Sequence, residues 1–218
     1  MLTCRNSPTG SFSDQFTHIA LILGVNVSEL KILTPRVKGI SFRSVLHALE
    51  ALRGPEAVPA CMKVMPPDLS DAYRYGTILA SSWYPIDWYR ALLGAVNTSA
   101  NQGDRFVVAI GRQCMREDMS GVYRAAFKLL SPQAVIRMTP RIFSNYYDTG
   151  KCTVVEAKVG YAHANWAGCT GFDRNMWNEI FGATEMVMEL AGAKHIRSRV
   201  LAGGSDGDDT ADFAGHWA

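Results

Sequence analysis

The stretch from Gly150 to Ala218 constrains the fold more than any other part of the chain, because its patterning reads as strand, strand, helix, strand, strand. Cys152 to Lys158 is rich in β-branched residues. Val159-Gly160 then supplies a turn into Tyr161 to Ala167, where Ala162, Ala164 and Trp166 alternate with Tyr161, His163 and Asn165. A period of two gives this hairpin one core-facing side. Asp173 stands at an N-cap position, and Trp177, Ile180, Phe181, Thr184, Val187, Met188 and Ala191 share one stripe of a helix that Gly192 ends. In the last pair of strands Ile196, Ser198 and Val200 oppose His195, Arg197 and Arg199, and Ala211, Phe213, Gly215 and Trp217 alternate after the turn. The fold class that follows is α+β, a helical lobe at residues 35–149 followed by an antiparallel ββαββ module at 150–218, packed together as one globular unit.

The chain has 218 residues, 48% hydrophobic and 19% charged, enough to bury most of its apolar surface. Residues 151–218 carry six Lys/Arg against nine Asp/Glu, which leaves sixteen against eleven for the rest. That mild asymmetry lacks the clustered basic stripe of a nucleic-acid binder, so no nucleic-acid partner is expected. Five scattered cysteines with no Cys-x-x-Cys pair encode neither a disulfide framework nor a local zinc knuckle, and they fit a reducing, cytoplasmic setting. The apolar run from Ile19 to Val25 is short and broken by Gly24, so no membrane span is expected.

Residues 1–34 read as an N-terminal arm or short helical extension, with Ser, Thr, Pro and Gly frequent at the start and Pro35 after it. Leu23 to Leu30 is weakly similar to the turn of a helix-turn-helix, but no basic recognition helix follows. Val45, Leu46, Leu49 and Leu52 predict a helix that Gly54-Pro55 ends, and a second short helix stops at Pro66-Pro67. The aromatic run Trp83-Tyr84-Pro85-Ile86-Asp87-Trp88-Tyr89 predicts a break between two helices. Further helices are expected over 104–130 and 132–147.

Lys38-Gly39-Ile40-Ser41-Phe42, Ser82-Trp83-Tyr84-Pro85, Ile110-Gly111-Arg112, Gly171-Phe172-Asp173 and Gly203 to Asp208 together resemble an uncharacterised bacterial family known chiefly from myxobacteria. More distantly, the helical lobe and ββαββ module are similar to a ligand-binding superfamily. It includes vinyl-reductase-type domains, haem-nitric-oxide-binding domains and the small subunits of the TRAPP vesicle-tethering complex. The resemblance implies an apolar pocket between helices and sheet, a homodimer or protein complex, and a role as sensor or scaffold. It also raises an acyl chain on a buried cysteine, for which Cys61 and Cys114 are the candidates. No Tyr-x-Ser-x-Arg string occurs, so no cofactor is expected and haem is judged unlikely.

Chemistry-bearing motifs are few. The histidines are dispersed, and neither a Walker loop nor Gly-x-Gly-x-x-Gly occurs. Gly203-Gly204-Ser205-Asp206-Gly207 matches Gly-x-Ser-x-Gly, but a strand follows it where a nucleophile elbow needs a helix. The same acidic stretch reads either as a calcium loop or, more simply, as a hairpin tip. Zinc through Cys152, His163 and Cys169 lacks a fourth ligand.

These residues favour a non-enzymatic binder of a small apolar or amphipathic ligand. A protein-interaction scaffold, docking a small GTPase by analogy with TRAPP, is the alternative, and an enzyme ranks third. Trp83, Tyr84, Trp88, Tyr123 and Phe127 are the candidate apolar contacts. Arg112 and Arg116, one helical turn apart, are the candidate contacts for an anionic group, or else a salt-bridged face. No catalytic or metal-ligating residue is assigned.

Overall fold

A computed structural model of the protein describes residues 34–120, 127 and 129–218. In chain order the elements are β1 (Arg36–Lys38), α1 (Gly39–Arg53), α2 (Ala57–Met62), α3 (Pro67–Arg74), β2 (Trp83–Pro85), α4 (Ile86–Ala100) and α5 (Asp104–Asp118). They continue with α6 (Pro132–Ile136), α7 (Thr139–Tyr146), β3 (Lys151–Lys158), β4 (Tyr161–Ala167), α8 (Arg174–Leu190), β5 (Arg197–Gly203) and β6 (Ala211–His216). The expected arm and its helix-turn-helix-like segment lie almost wholly outside the described residues. Pro35–Ala218 is a compact unit, and it has the α+β class that the sequence implies.

The ββαββ module forms one antiparallel sheet in the order β3-β4-β6-β5. β4 keeps the alternation read from its sequence, with Ala162, Ala164 and Trp166 buried on the core face. β5 departs from it. Its register shifts between Val200 and Ala202, it pairs on one side only, and Val200 is 44% exposed. An edge strand bent by a bulge cannot hold its apolar side against the core.

α8 shows why the module folds as it does. The Asp173 side chain accepts from the Met176 N–H at 2.9 Å, satisfying a donor that the first helical turn leaves open. Asp173→Ala is expected to cost about 1 kcal/mol of stability, measured by chemical denaturation. The whole predicted stripe is buried, and Met176, Glu179, Gly182 and Met186 are buried beside it. A helix buried on more than one face sits between layers rather than on a surface. Gly182 lies against Val108 of α5, where an added Cβ would stand 2.0 Å from the carbonyl oxygen. Gly111 of α5 lies against Glu179 of α8, with 1.9 Å to its carbonyl oxygen. Each helix therefore offers a glycine notch to the other, and the backbones touch.

Two sequence expectations are adjusted. Trp83–Pro85 is a short strand paired with β1, not the end of a helix, and Pro85 leads directly into α4. Pro67 does not merely stop a helix. It opens α3 at a first-turn position, where its missing N–H costs nothing.

Candidate functional site

A pocket of about 50 Å³ lies where α1, α5, α7 and α8 meet the sheet. α1 contributes Ser41 and Ser44, and α5 contributes Cys114, Met115 and Asp118. α7 and the residue after it supply Thr139, Ile142, Phe143, Tyr146 and Tyr147, while α8 supplies Glu179, Ile180, Ala183, Thr184 and Val187. Tyr89 and Trp166 complete the wall. The periodicity of each element dictates this: 41 and 44, 139 and 143, and 180, 183, 184 and 187 recur at helical spacing.

The lining is mostly hydrocarbon, yet it gathers polar atoms whose hydrogen bonding is incomplete. Glu179 is 7% exposed, and its carboxylate accepts from the Tyr147 hydroxyl at 3.0 Å. Burial pushes its carboxyl up to about 7, only partly opposed by that hydrogen bond, and Asp118 adds to the rise. Asp118 accepts from Ser44 at 2.7 Å and Tyr146 at 2.9 Å, and burial raises its carboxyl too despite both bonds. Burial holds the Cys114 thiol well above its usual range, which makes it a neutral side chain rather than a nucleophile. Three further polar atoms of the lining, Ser41 Oγ, Thr139 Oγ1 and Trp166 Nε1, are buried without a hydrogen-bond partner among the described residues. Each such atom costs about 1–3 kcal/mol in a folded protein, so three around one pocket require an explanation.

Of the seven residues singled out from the sequence, six are described, and none of these lines the pocket. Tyr123 lies outside the described residues. Tyr84 and Trp88 stack with centroids 6.1 Å apart, Trp88 donates to Asp68, and Lys38 stands over Trp83. Phe127 is buried in a separate apolar cluster with Met115, Val135, Met186 and Val187. Arg112 donates to Glu185 and Glu189 of α8, and Arg116 approaches Glu189 at 3.8 Å. Both arginines therefore face carboxylates.

Two other expectations meet the register. Cys152 is opposite Trp166, whereas His163 is opposite Glu156 and bonds Asp212 at 2.7 Å, so cysteine and histidine do not approach each other. In the acidic tip, Asp206 accepts from the Arg174 N–H and Asp208 from the Ser205 N–H. Those carboxylates organise backbone. Among the described residues no group of three His, Cys, Asp or Glu side chains is placed to hold a metal ion, and no helix is long and apolar enough to cross a membrane.

Glu179 is the residue sequence reading missed. It lies seven positions before Met186, hence on the same helical face, and an acid on a buried apolar face was the available signal.

No family model matches the chain, and no curated protein matches it. Solved structures do. A single-site variant of the Fe(II) unliganded H-NOX protein from K. algicida superposes with a TM-score of 0.61 at 14% identity, over 83% of this chain and 96% of that one. An oxygen-binding H-NOX domain related to soluble guanylate cyclases gives 0.60 at 14% identity, over 83% and 94%. An H-NOX variant from T. tengcongensis gives 0.61 at 12%, over 83% and 97%. The chain thus has the fold of haem-nitric-oxide-binding domains, one branch of the resemblance read from its sequence.

This finding corrects the expectation against haem. That expectation rested on a missing string of three specified residues, and a fold shared with haem domains along nearly their whole length outweighs so small a sample. The pocket itself sets a geometric condition. In the described conformation it is smaller than the roughly 300–1,000 Å³ of sites that enclose drug-sized ligands, so a macrocycle does not fit without parting the helices. Its sulfur, phenol and carboxyl groups include no imidazole among the described lining residues.

Proposed function

We propose that the protein is a small-molecule-binding sensor domain whose ligand occupies the pocket between α1, α5, α7, α8 and β4. One observation carries this reading: a mostly apolar pocket between helices and sheet is lined by residues from separate elements that include the buried carboxyl of Glu179. The likeness to H-NOX domains supports the same class of role.

Because six separate elements contribute to the wall, an occupied pocket favours one arrangement of α7 and α8 over others, and that difference is the signal. Tyr147, which follows α7, is tied to α8 through its hydrogen bond to Glu179, so the two helices respond together.

A second reading, a haem-dependent gas sensor, is favoured by the fold likeness. It requires the pocket to widen. Native and denatured mass spectrometry of the full chain purified from its host tests the proposal, with absorption spectra taken before and after adding hemin. A non-covalent adduct that leaves on denaturation and is lost in Thr139→Val supports the pocket as its site. A Soret band that saturates at one hemin per chain establishes the second reading. A bare chain whose spectrum hemin does not change overturns both.

A further inference from the structure

β5 is an edge strand left open. It lies at the end of the order β3-β4-β6-β5 and pairs only with β6, and among the described residues no other backbone group bonds to it. All of its residues except Ser198 are exposed. In an antiparallel pair alternate residues turn their N–H and C=O groups away from the partner strand, so β5 offers an unfilled half-ladder to solvent. The edge at the other end of the sheet differs, since Arg137 donates to the Ala157 carbonyl of β3 at 2.8 Å.

Side chains give this edge a sign. Ser198 donates to Glu185 of α8, which sets Ser198 and, two residues on, Val200 on the helix side of the sheet. Arg197 and Arg199 therefore stand on the other face, paired in register with His216 and Ala214 of β6. Both are exposed, and among the described residues neither joins an ion pair, whereas Arg112, Arg116 and Arg174 do. Lys194 and His195, also exposed, precede them, and no acid interrupts the run from 194 to 199.

Charge on an edge strand also guards it, and here the guard is selective. Two copies paired antiparallel through this edge, with their sheet faces continuous and both arginines overlapped, set arginine opposite arginine. Like charges directly opposite are destabilising, and opposite charges stabilise the pair. The register shift comes only after Val200, so Arg197–Val200 keeps an unbroken ladder on which a strand can form. The edge therefore rejects a second copy and suits an acidic strand.

We propose that Arg197–Val200 takes up an extended segment of a partner protein as a fifth strand, antiparallel to β5. Acidic residues of the partner lie opposite Arg197 and Arg199, and an apolar residue lies opposite Val200, which is 44% exposed without it. From the partner's N-terminus the order is apolar, acidic, any residue, acidic. Backbone hydrogen bonds hold such a strand and its alternating side chains select it. No residue of β5 lines the pocket, so this inference stands apart from the sensor reading.

The test is an amide-resonance titration of the full chain with the capped peptide Thr-Val-Glu-Thr-Glu-Thr. Saturable shifts centred on residues 197–200 are expected. Replacing both glutamates of the peptide by glutamine, or changing the chain to Arg197→Gln/Arg199→Gln, is expected to weaken binding about tenfold, since two exposed ion pairs are lost together. The double variant alters only exposed side chains, so its melting temperature is expected to stay near that of the wild type. Methylating the backbone nitrogens along one edge of the peptide is expected to abolish binding, and along its other edge to leave binding in place. Equal affinity for the glutamate and glutamine peptides, binding that survives methylation of either edge, or no saturable shift overturns the proposal. Pyrophosphate is the competing probe. Should it move these resonances saturably where the peptide does not, the arginines hold phosphate groups and the added strand is ruled out.

Discussion

Gly111→Ala is expected to lower the melting temperature by roughly 6–12 °C, corresponding to about 3 kcal/mol for a domain of this size. The alanine Cβ would stand 1.9 Å from the Glu179 carbonyl oxygen and 2.7 Å from its carbonyl carbon, both backbone atoms of a buried helix. A flexible side chain could swing away from such an intrusion, but a helix backbone cannot. α5 and α8 must separate, and separation empties contacts along the whole crossing, including Val108 on Gly182. The Glu179 carboxyl then moves too, because the clash falls on its own residue, so this variant is expected to lose ligand binding together with stability. Gly94→Ala is the control. Gly94 lies inside α4 with nothing within 4 Å of an added Cβ, so helix propensity alone acts there and a gain of up to about 1 kcal/mol is expected. Calorimetry on the two variants decides the matter. Equal melting temperatures would mean that the glycine notch does not hold the two helices together.

That crossing also shows where sequence reading reaches its limit. The module was legible because its signals are local: alternation in β4, an N-cap at Asp173 and a stripe along α8 each need only a few neighbouring residues. The pocket was not, because its polar members come from several elements, and no spacing in the chain announces that Ser41, Thr139, Trp166 and Glu179 line one pocket. Aromatic density drew attention to Trp83, Tyr84 and Trp88 instead. Those rings fill the junction between the β1–β2 ribbon and α4, with Tyr84 donating to the Thr77 carbonyl at 2.9 Å and Trp88 to Asp68 at 3.0 Å. The polar tips of Tyr84 and Trp88 are satisfied. A residue with its hydrogen bonds complete has less left to offer a ligand than one with them open, and only the three-dimensional arrangement separates the two conditions.

The protein is expected to lose stability as pH rises from about 4.5 to 7, by about 3 kcal/mol, a direction opposite to that of an ordinary salt-bridged carboxylate. Glu179 carries the effect. In the unfolded chain its carboxyl titrates near 4.5, whereas in the fold burial moves it up to about 7. Between those values the folded protein keeps a proton that the unfolded chain has released, so protons favour folding. The contribution is fully present below the unfolded value, declines as pH rises through the folded one, and is absent above it. Asp118 and Asp173 are also raised, again chiefly by burial, and therefore act in the same sense. Glu179→Gln isolates the main contributor. Glutamine retains an acceptor for the Tyr147 hydroxyl, 3.0 Å away in the wild type, and removes the titration. The variant is expected to match the wild type near pH 4.5, to exceed it by up to about 3 kcal/mol near pH 8, and to give a flatter profile between. Urea unfolding across that range measures both curves. A wild-type stability that climbs from pH 5 to pH 7, or a glutamine variant with the same slope as the wild type, would show that Glu179 remains ionised in the fold. The pocket would then present an anion rather than a neutral carboxyl.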